Sequence, residues 1–242
     1  MITLNEKQRR FINKALRWIY PKKCSVCGKI IPLNEEYCIC SREESVKIST
    51  DFCRHCGHKK TNCVCSARNS VILPEITGVY IYGGKIRSDI LDLKFKNKKY
   101  LAERLGSYMA ERCAEVYYDI DFDVVTFVPM TEKSLDKRLY NQSELLAKQV
   151  ARLLFLPVED LFLKIRETPS QHSLGGEARV ENLKSSVILR KDVNVKGKKI
   201  LVCDDVKTTG ATLAQCVNAL QQNGADKACC VCVAISDFSL YK

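Results

Sequence analysis

Residues 200–212 read ILVCDDVKTTGAT and run directly into LAQCVNALQQNG at 213–224. Four apolar residues, Ile200 to Cys203, predict a buried strand, with Asp204 and Asp205 at its carboxyl end. The small, hydroxyl-rich run from Thr208 to Thr212 then opens a helix. Backbone N–H groups at a helix start have no intrahelical partner and sit at the positive end of the helix dipole, so they receive a phosphate dianion. Gly210 lets the backbone approach closely, and Thr208, Thr209 and Thr212 add hydroxyl donors. Two adjacent carboxylates before the turn suit neighbouring hydroxyls, and they also order the water shell of a magnesium ion. A ribose phosphate carries both features.

Outward from this segment, strands alternate with helices. Apolar runs predict strands at 76–82, 123–128, 158–165, 199–203 and 227–235, and helical periodicity predicts helices near 85–94, 99–118, 141–155 and 210–223. The alternation implies an α/β fold, a mostly parallel sheet with helices on both faces, over residues 71–242. In such folds ligands bind at the carboxyl ends of the strands, where the 204–212 turn falls. Residues 166–181, RETPSQHSLGGEARVE, form a long polar segment without apolar period; inside a compact domain a loop of this length is usually functional, the alternative being an insertion of no consequence.

The composition is that of a globular protein: 46% hydrophobic and 28% charged residues, without low-complexity tracts. Residues 1–21 carry a basic amphipathic helix, with Leu4, Phe11, Ile12, Ala15, Leu16 and Ile19 at helical spacing. They lack the layout of a secretory signal, and no apolar stretch is long enough to span a membrane, so the expected location is the cytoplasm. The formal charge of +11 favours an anionic partner: nucleic acid, a polyphosphate-bearing small molecule or an acidic membrane surface.

Fourteen cysteines without an export signal point to thiol or metal chemistry. Eight of them occupy residues 22–70 as Cys24-x2-Cys27, Cys38-x-Cys40, Cys53-x2-Cys56 and Cys63-x-Cys65. Zinc takes four tetrahedral ligands, and paired cysteines on tight turns deliver two at a time, so the eight predict about two zinc ions per chain in a small zinc-ribbon module. Consecutive pairing of the knuckles is favoured, a crossed arrangement satisfies the metal equally, and an iron–sulfur cluster fits the spacing less well. His55 and His58 are expected beside the metal rather than on it. Cys113, Cys203, Cys216, Cys229, Cys230 and Cys232 lie in apolar or helical surroundings and read as small buried hydrophobes.

The 200–212 segment resembles the signature of type I phosphoribosyltransferases. The resemblance widens through the cysteine pairs, GVYIYGGKIRSDILDLKFK at 78–96, VPMTEKSLDKRLYNQSELLA at 128–147 and KIRETPSQHSLGGEARVENLK at 164–184, to ComF-type proteins of bacterial DNA uptake. It implies that Asp204 and Asp205 hold the ribose hydroxyls of phosphoribosyl pyrophosphate, with magnesium, and that Thr208, Thr209, Gly210, Ala211 and Thr212 hold the 5-phosphate. Lys207 stands where the signature usually has an apolar or aromatic residue and adds a cation near the phosphates. By the same resemblance Pro129, Met130 and Arg138 are pyrophosphate-loop candidates, Arg138 because its permanently charged guanidinium donates two parallel bonds to a polyanion. Arg166, Gln171 and Arg179 belong to the flexible loop that closes over the ligand. Leu139 departs from the glycine usual at its position.

Two functions follow. In one, the protein binds phosphoribosyl pyrophosphate and takes part in handling single-stranded DNA during natural transformation, alongside other competence or DNA-uptake proteins, with Lys94, Lys96, Lys98 and Lys99 as DNA-binding candidates. In the other it catalyses phosphoribosyl transfer to a nucleobase or amine acceptor. That chemistry needs mainly placement of the nucleophile and stabilisation of the departing pyrophosphate, so the binding loops nearly constitute the machinery.

Overall fold

The computed structural model describes residues 30, 47–48, 53, 75–165 and 186–236. The chain divides into two compact units, Met1–Ser45 and Val46–Lys242. Of the first, only Ile30 is described, and it is exposed. The second holds six strands and five helices among the described residues: β1 (Glu75–Ile81), α1 (Gly84–Phe95), α2 (Leu101–Val116), β2 (Val124–Phe127), α3 (Glu132–Arg138), α4 (Gln142–Leu154), β3 (Phe162–Lys164), β4 (Val187–Leu189), β5 (Lys199–Lys207), α5 (Ala211–Gln222) and β6 (Lys227–Ile235).

Four strands form the sheet, in the order β1-β6-β5-β2, and every pairing is parallel. The apolar runs that predicted buried strands divide between its two faces by the two-residue period of a strand. Leu201, Cys203, Cys229, Val231 and Val233 pack with α1, α2 and α4 on one face. Ile200, Val202, Cys230 and Cys232 pack with α5 on the other. The six scattered cysteines are all buried, as expected of small hydrophobes. Burial pushes the Cys113, Cys203, Cys216, Cys230 and Cys232 thiols well above their ordinary range, so they stay protonated.

The expected strand 158–165 is corrected. Only Phe162–Lys164 is a strand, and it pairs antiparallel with β4 in a separate two-stranded sheet, while Val158 contributes a single bridge to Val125. In sequence, β3 and β4 stand on either side of the polar segment 166–181, which lies outside the described residues. The strand expected at 199–203 runs on to Lys207, because Asp204, Val206 and Lys207 still find register partners in β6. The short helix α3 and the strand β4 have no counterpart in the sequence reading. α3 has no buried residue, hence no apolar stripe to read; it is started by Thr131, whose hydroxyl accepts from the Ser134 N–H at 3.3 Å. Along β1, the edge of the sheet, Ile48 N–H donates to the Val79 carbonyl at 2.9 Å and Lys47 bridges Tyr80 antiparallel, so part of the stretch read as the cysteine module covers an otherwise open strand.

Candidate phosphoribosyl site

Parallel pairing places the carboxyl ends of β2 and β5 side by side. Phe127 is in register with Cys203, and Val128 N–H donates to the Cys203 carbonyl at 3.0 Å, so the loop carrying Pro129 and Met130 starts next to Asp204. Pro129 is buried and Met130 half-buried.

Asp204 and Asp205 are each held by a different helix. The Asp204 Oδ1 accepts from Ser143 Oγ, at the start of α4, at 2.9 Å and from the Asp205 N–H at 2.8 Å. The Asp205 Oδ1 faces Lys94 Nζ, in the last turn of α1, at 2.9 Å. Asp205 is 4% exposed, and its Oδ2 is buried without a hydrogen-bond partner among the described residues. Burial, followed by the neighbouring Asp205 carboxylate, raises the Asp204 carboxyl to about 7; Lys94, the Asp205 N–H and Ser143 pull the other way.

After β5 the chain turns at Gly210, which adopts a left-handed φ of 80° and caps α5 with no side-chain hydrogen bond. A Cβ there would stand 3.3 Å from Lys207 Cε, so the turn is restricted by conformation and by space. Thr208, Thr209 and Ala211 are exposed and Thr212 half-buried. Thr209 Oγ1 accepts from the Ala211 N–H at 3.3 Å. The N–H groups of the first turn of α5 have no intrahelical carbonyl and open at the same strand end as the two carboxylates. Lys207 is 5% exposed, its side chain lying under the Gly210 turn.

Arg138 ends α3. Its guanidinium lies over the Phe95 ring at 4.9 Å and donates to Gln142 Oε1 at 3.4 Å. Beside it is a cavity of about 480 Å³ lined by Phe95, Lys133, Ser134, Lys137 and Arg138. Leu139, at the position of the expected glycine, is left-handed with φ 65° and 78% exposed. The backbone keeps the conformation glycine favours and leucine bears its strain.

The four lysines expected to form one basic patch have separate partners. Lys94 is drawn to Asp205, Lys96 and Lys98 meet Asp92 at 2.8 and 2.7 Å, and Lys99 lies 4.7 Å above the Tyr140 ring. Asp92 is held below the usual carboxylate range by its bonds to Lys96 and Lys98. Arg166, Gln171 and Arg179 lie outside the described residues, as do Cys24, Cys27, Cys38, Cys40, Cys56, Cys63 and Cys65; Cys53 is half-buried.

Sequence reasoning missed Tyr140, Asn141 and Ser143, which knit the site together. The Tyr140 hydroxyl donates to the Leu93 carbonyl and fixes the end of α1. Asn141 caps α4 through the Ser143 N–H at 2.9 Å while its Nδ2 donates to the Val128 carbonyl at 2.9 Å. Asn-x-Ser before a helical run is legible as a cap, but its partners 13 and 61 residues away are not.

Residues 140–237, beginning at Tyr140, match the phosphoribosyl transferase domain. The chain is 27% identical over 198 residues to DNA utilization protein YhgH of Escherichia coli (strain K12), covering 77% of this chain and 84% of that protein. It is 26% identical over 219 residues to competence protein ComFC of Bacillus subtilis (strain 168), covering 86% and 85%. Competence protein F of Haemophilus influenzae gives 27% over 201 residues, covering 78% and 86%. These matches support the ComF-type family. The matched domain contains Asp204 and Asp205, the Gly210 turn, α4 and α5, whereas α1 with Lys94 precedes it. The parallel sheet flanked by helices agrees with a type I phosphoribosyltransferase fold. Among the described residues no helix is long and apolar enough to cross a membrane.

Proposed function

We propose that this protein binds phosphoribosyl pyrophosphate with magnesium at the carboxyl end of β5 and takes part in handling single-stranded DNA during natural transformation. The observation that carries the ligand reading is the pairing, within nine residues, of a carboxylate couple with a left-handed glycine turn opening a helix. Asp204 and Asp205 accept the ribose hydroxyls and order the hydrated magnesium; the Gly210 turn and the first N–H groups of α5 receive the 5-phosphate. The buried Oδ2 of Asp205 fits this chemistry, since a ligand hydroxyl supplies the donor it lacks. The similarity to proteins named for competence and DNA utilization supports the biological setting. The cavity between Phe95 and α3 supports the nucleic-acid role: an aromatic ring beside Lys133, Lys137 and Arg138 combines stacking surface with cations. Lys96, Lys98 and Lys99 flank it in sequence on the α1 side. Two zinc ions held by the eight cysteines complete the proposed protein.

Calorimetry and thermal shift with phosphoribosyl pyrophosphate and magnesium test the ligand reading. The wild type is expected to bind and to be stabilised by RT ln(1 + [L]/Kd), with ribose 5-phosphate less effective. D204N/D205N removes both charges at constant size, and G210V closes the phosphate turn; both should bind far less. Absence of binding by well-folded wild type, or equal binding by all three, overturns the reading. The phosphoribosyl transferase match favours a second reading, turnover, which pyrophosphate release with nucleobase or amine acceptors would reveal.

A further inference from the structure

We propose that Lys94 belongs to the ligand site as a positioning residue, holding one oxygen of Asp205 so that the other faces a ligand hydroxyl. The inference rests on the phosphoribosyl reading of the site.

The Lys94 Nζ is 2.9 Å from Asp205 Oδ1, and the two side chains are 19% and 6% exposed, so the pair is largely removed from solvent screening. Its geometry is set from outside the pair. Lys94 lies in the last turn of α1, and the preceding residue, Leu93, is fastened through its carbonyl by the Tyr140 hydroxyl. Leu93 is itself fully buried. The ammonium is therefore delivered to Asp205 by a fixed backbone rather than by a free surface side chain.

A buried carboxylate held at both oxygens would have little left to offer a ligand. Here Oδ1 is occupied by a cation and Oδ2 is buried without a partner among the described residues, an arrangement whose cost is relieved when a donor arrives. Asp204 is anchored in parallel, its Oδ1 taken by Ser143 and by the Asp205 N–H. One helix thus holds each carboxylate: α4 through Ser143 and α1 through Lys94. A lysine whose only role was to fasten α1 to the sheet would leave the preference of the site for hydroxylated ligands unchanged when removed.

The test compares ribose 5-phosphate with 2-deoxyribose 5-phosphate, and measures phosphoribosyl pyrophosphate with magnesium, by calorimetry on the full chain. The wild type is expected to prefer the ribose compound. In K94M the preference should collapse toward equal binding, and affinity for phosphoribosyl pyrophosphate should fall roughly tenfold, the scale of one charge-assisted hydrogen bond. K94R keeps a cation and should restore part of the preference. In a double-mutant cycle K94M/D205N should bind as D205N does, because Lys94 acts through Asp205. If K94M does not fold, the comparison of K94M/D205N with D205N carries the same test without a buried uncompensated carboxylate at 205. Wild-type preference and affinity in K94M, or losses that add in the double variant, overturn the inference alone. Wild type that binds no phosphoribosyl ligand overturns the proposed function as well.

Discussion

Replacing Asp204 by Asn should abolish a fall in stability that the wild type shows between about pH 4 and pH 7. The Asp204 carboxyl rises from its ordinary 3.8 to about 7 because the folded chain buries it and sets Asp205 beside it. The folded state therefore holds a proton through a range in which the unfolded chain has released it. Its stabilisation is fully present below the unfolded pKa, near 4, and is lost as pH rises through about 7. At about 1.4 kcal/mol per pH unit the rise sets a ceiling of about 4 kcal/mol. Asp204 is partly exposed, and screening with local relaxation reduces this to ~1–2 kcal/mol. Asn at 204 keeps an oxygen to accept from Ser143 and from the Asp205 N–H but carries no proton to lose. Urea unfolding of both proteins at pH 5 and pH 8 measures the effect. The wild type should lose about 1 kcal/mol more than D204N over that interval, which spans roughly 60% of the titration. An equal loss, or a larger one in D204N, would refute the assignment of a raised-pKa carboxyl to this position. Under the proposed function the same proton couples to the ligand: hydroxyl and magnesium binding would favour the ionised pair, so wild-type affinity for phosphoribosyl pyrophosphate should rise as pH approaches 7 from below.

Leu139→Gly should stabilise the protein by about 1 kcal/mol, or about 2–4 °C in Tm, because Leu139 is left-handed and 78% exposed and so loses strain with little burial; a lower Tm would contradict this. A thiol reagent should leave Cys113, Cys203, Cys216, Cys229, Cys230 and Cys232 unmodified until denaturant is added, as mass mapping of modified peptides would show. Metal analysis of chelator-free protein should find about two zinc ions per chain, and an iron–sulfur absorption band would rule that out. Single-stranded oligonucleotide binding, read by anisotropy, should weaken with added salt and with charge reversal at Lys133 and Lys137, and F95A should lower it at constant salt; indifference to all three would remove the Phe95 cavity as the contact.

The sequence by itself determined the parallel α/β fold and the location of the Gly210 turn. Both depend on local, periodic signals: apolar runs such as 200–203 and 227–235 can be satisfied only by burial on two faces, and Gly210 with its threonines marks a turn whose conformation few other residues adopt. Leu139, where the resemblance expects glycine, has a left-handed backbone at φ 65°. The sequence reading erred at 158–165 because a partly apolar run does not reveal which partner will complete its hydrogen bonds, and β3 found β4 rather than the main sheet. Lys94, Lys96, Lys98 and Lys99 looked alike as neighbouring charges. Only the tertiary structure separated them, since Asp205 lies 111 positions beyond Lys94 and meets it through the packing of α1 on the sheet. The same holds for Ser143 and Asp204, 61 residues apart. Periodicity records which side of an element is buried, whereas the electrostatic partner of a charge is set by the register of strands and helices distant in the chain, which no local pattern encodes.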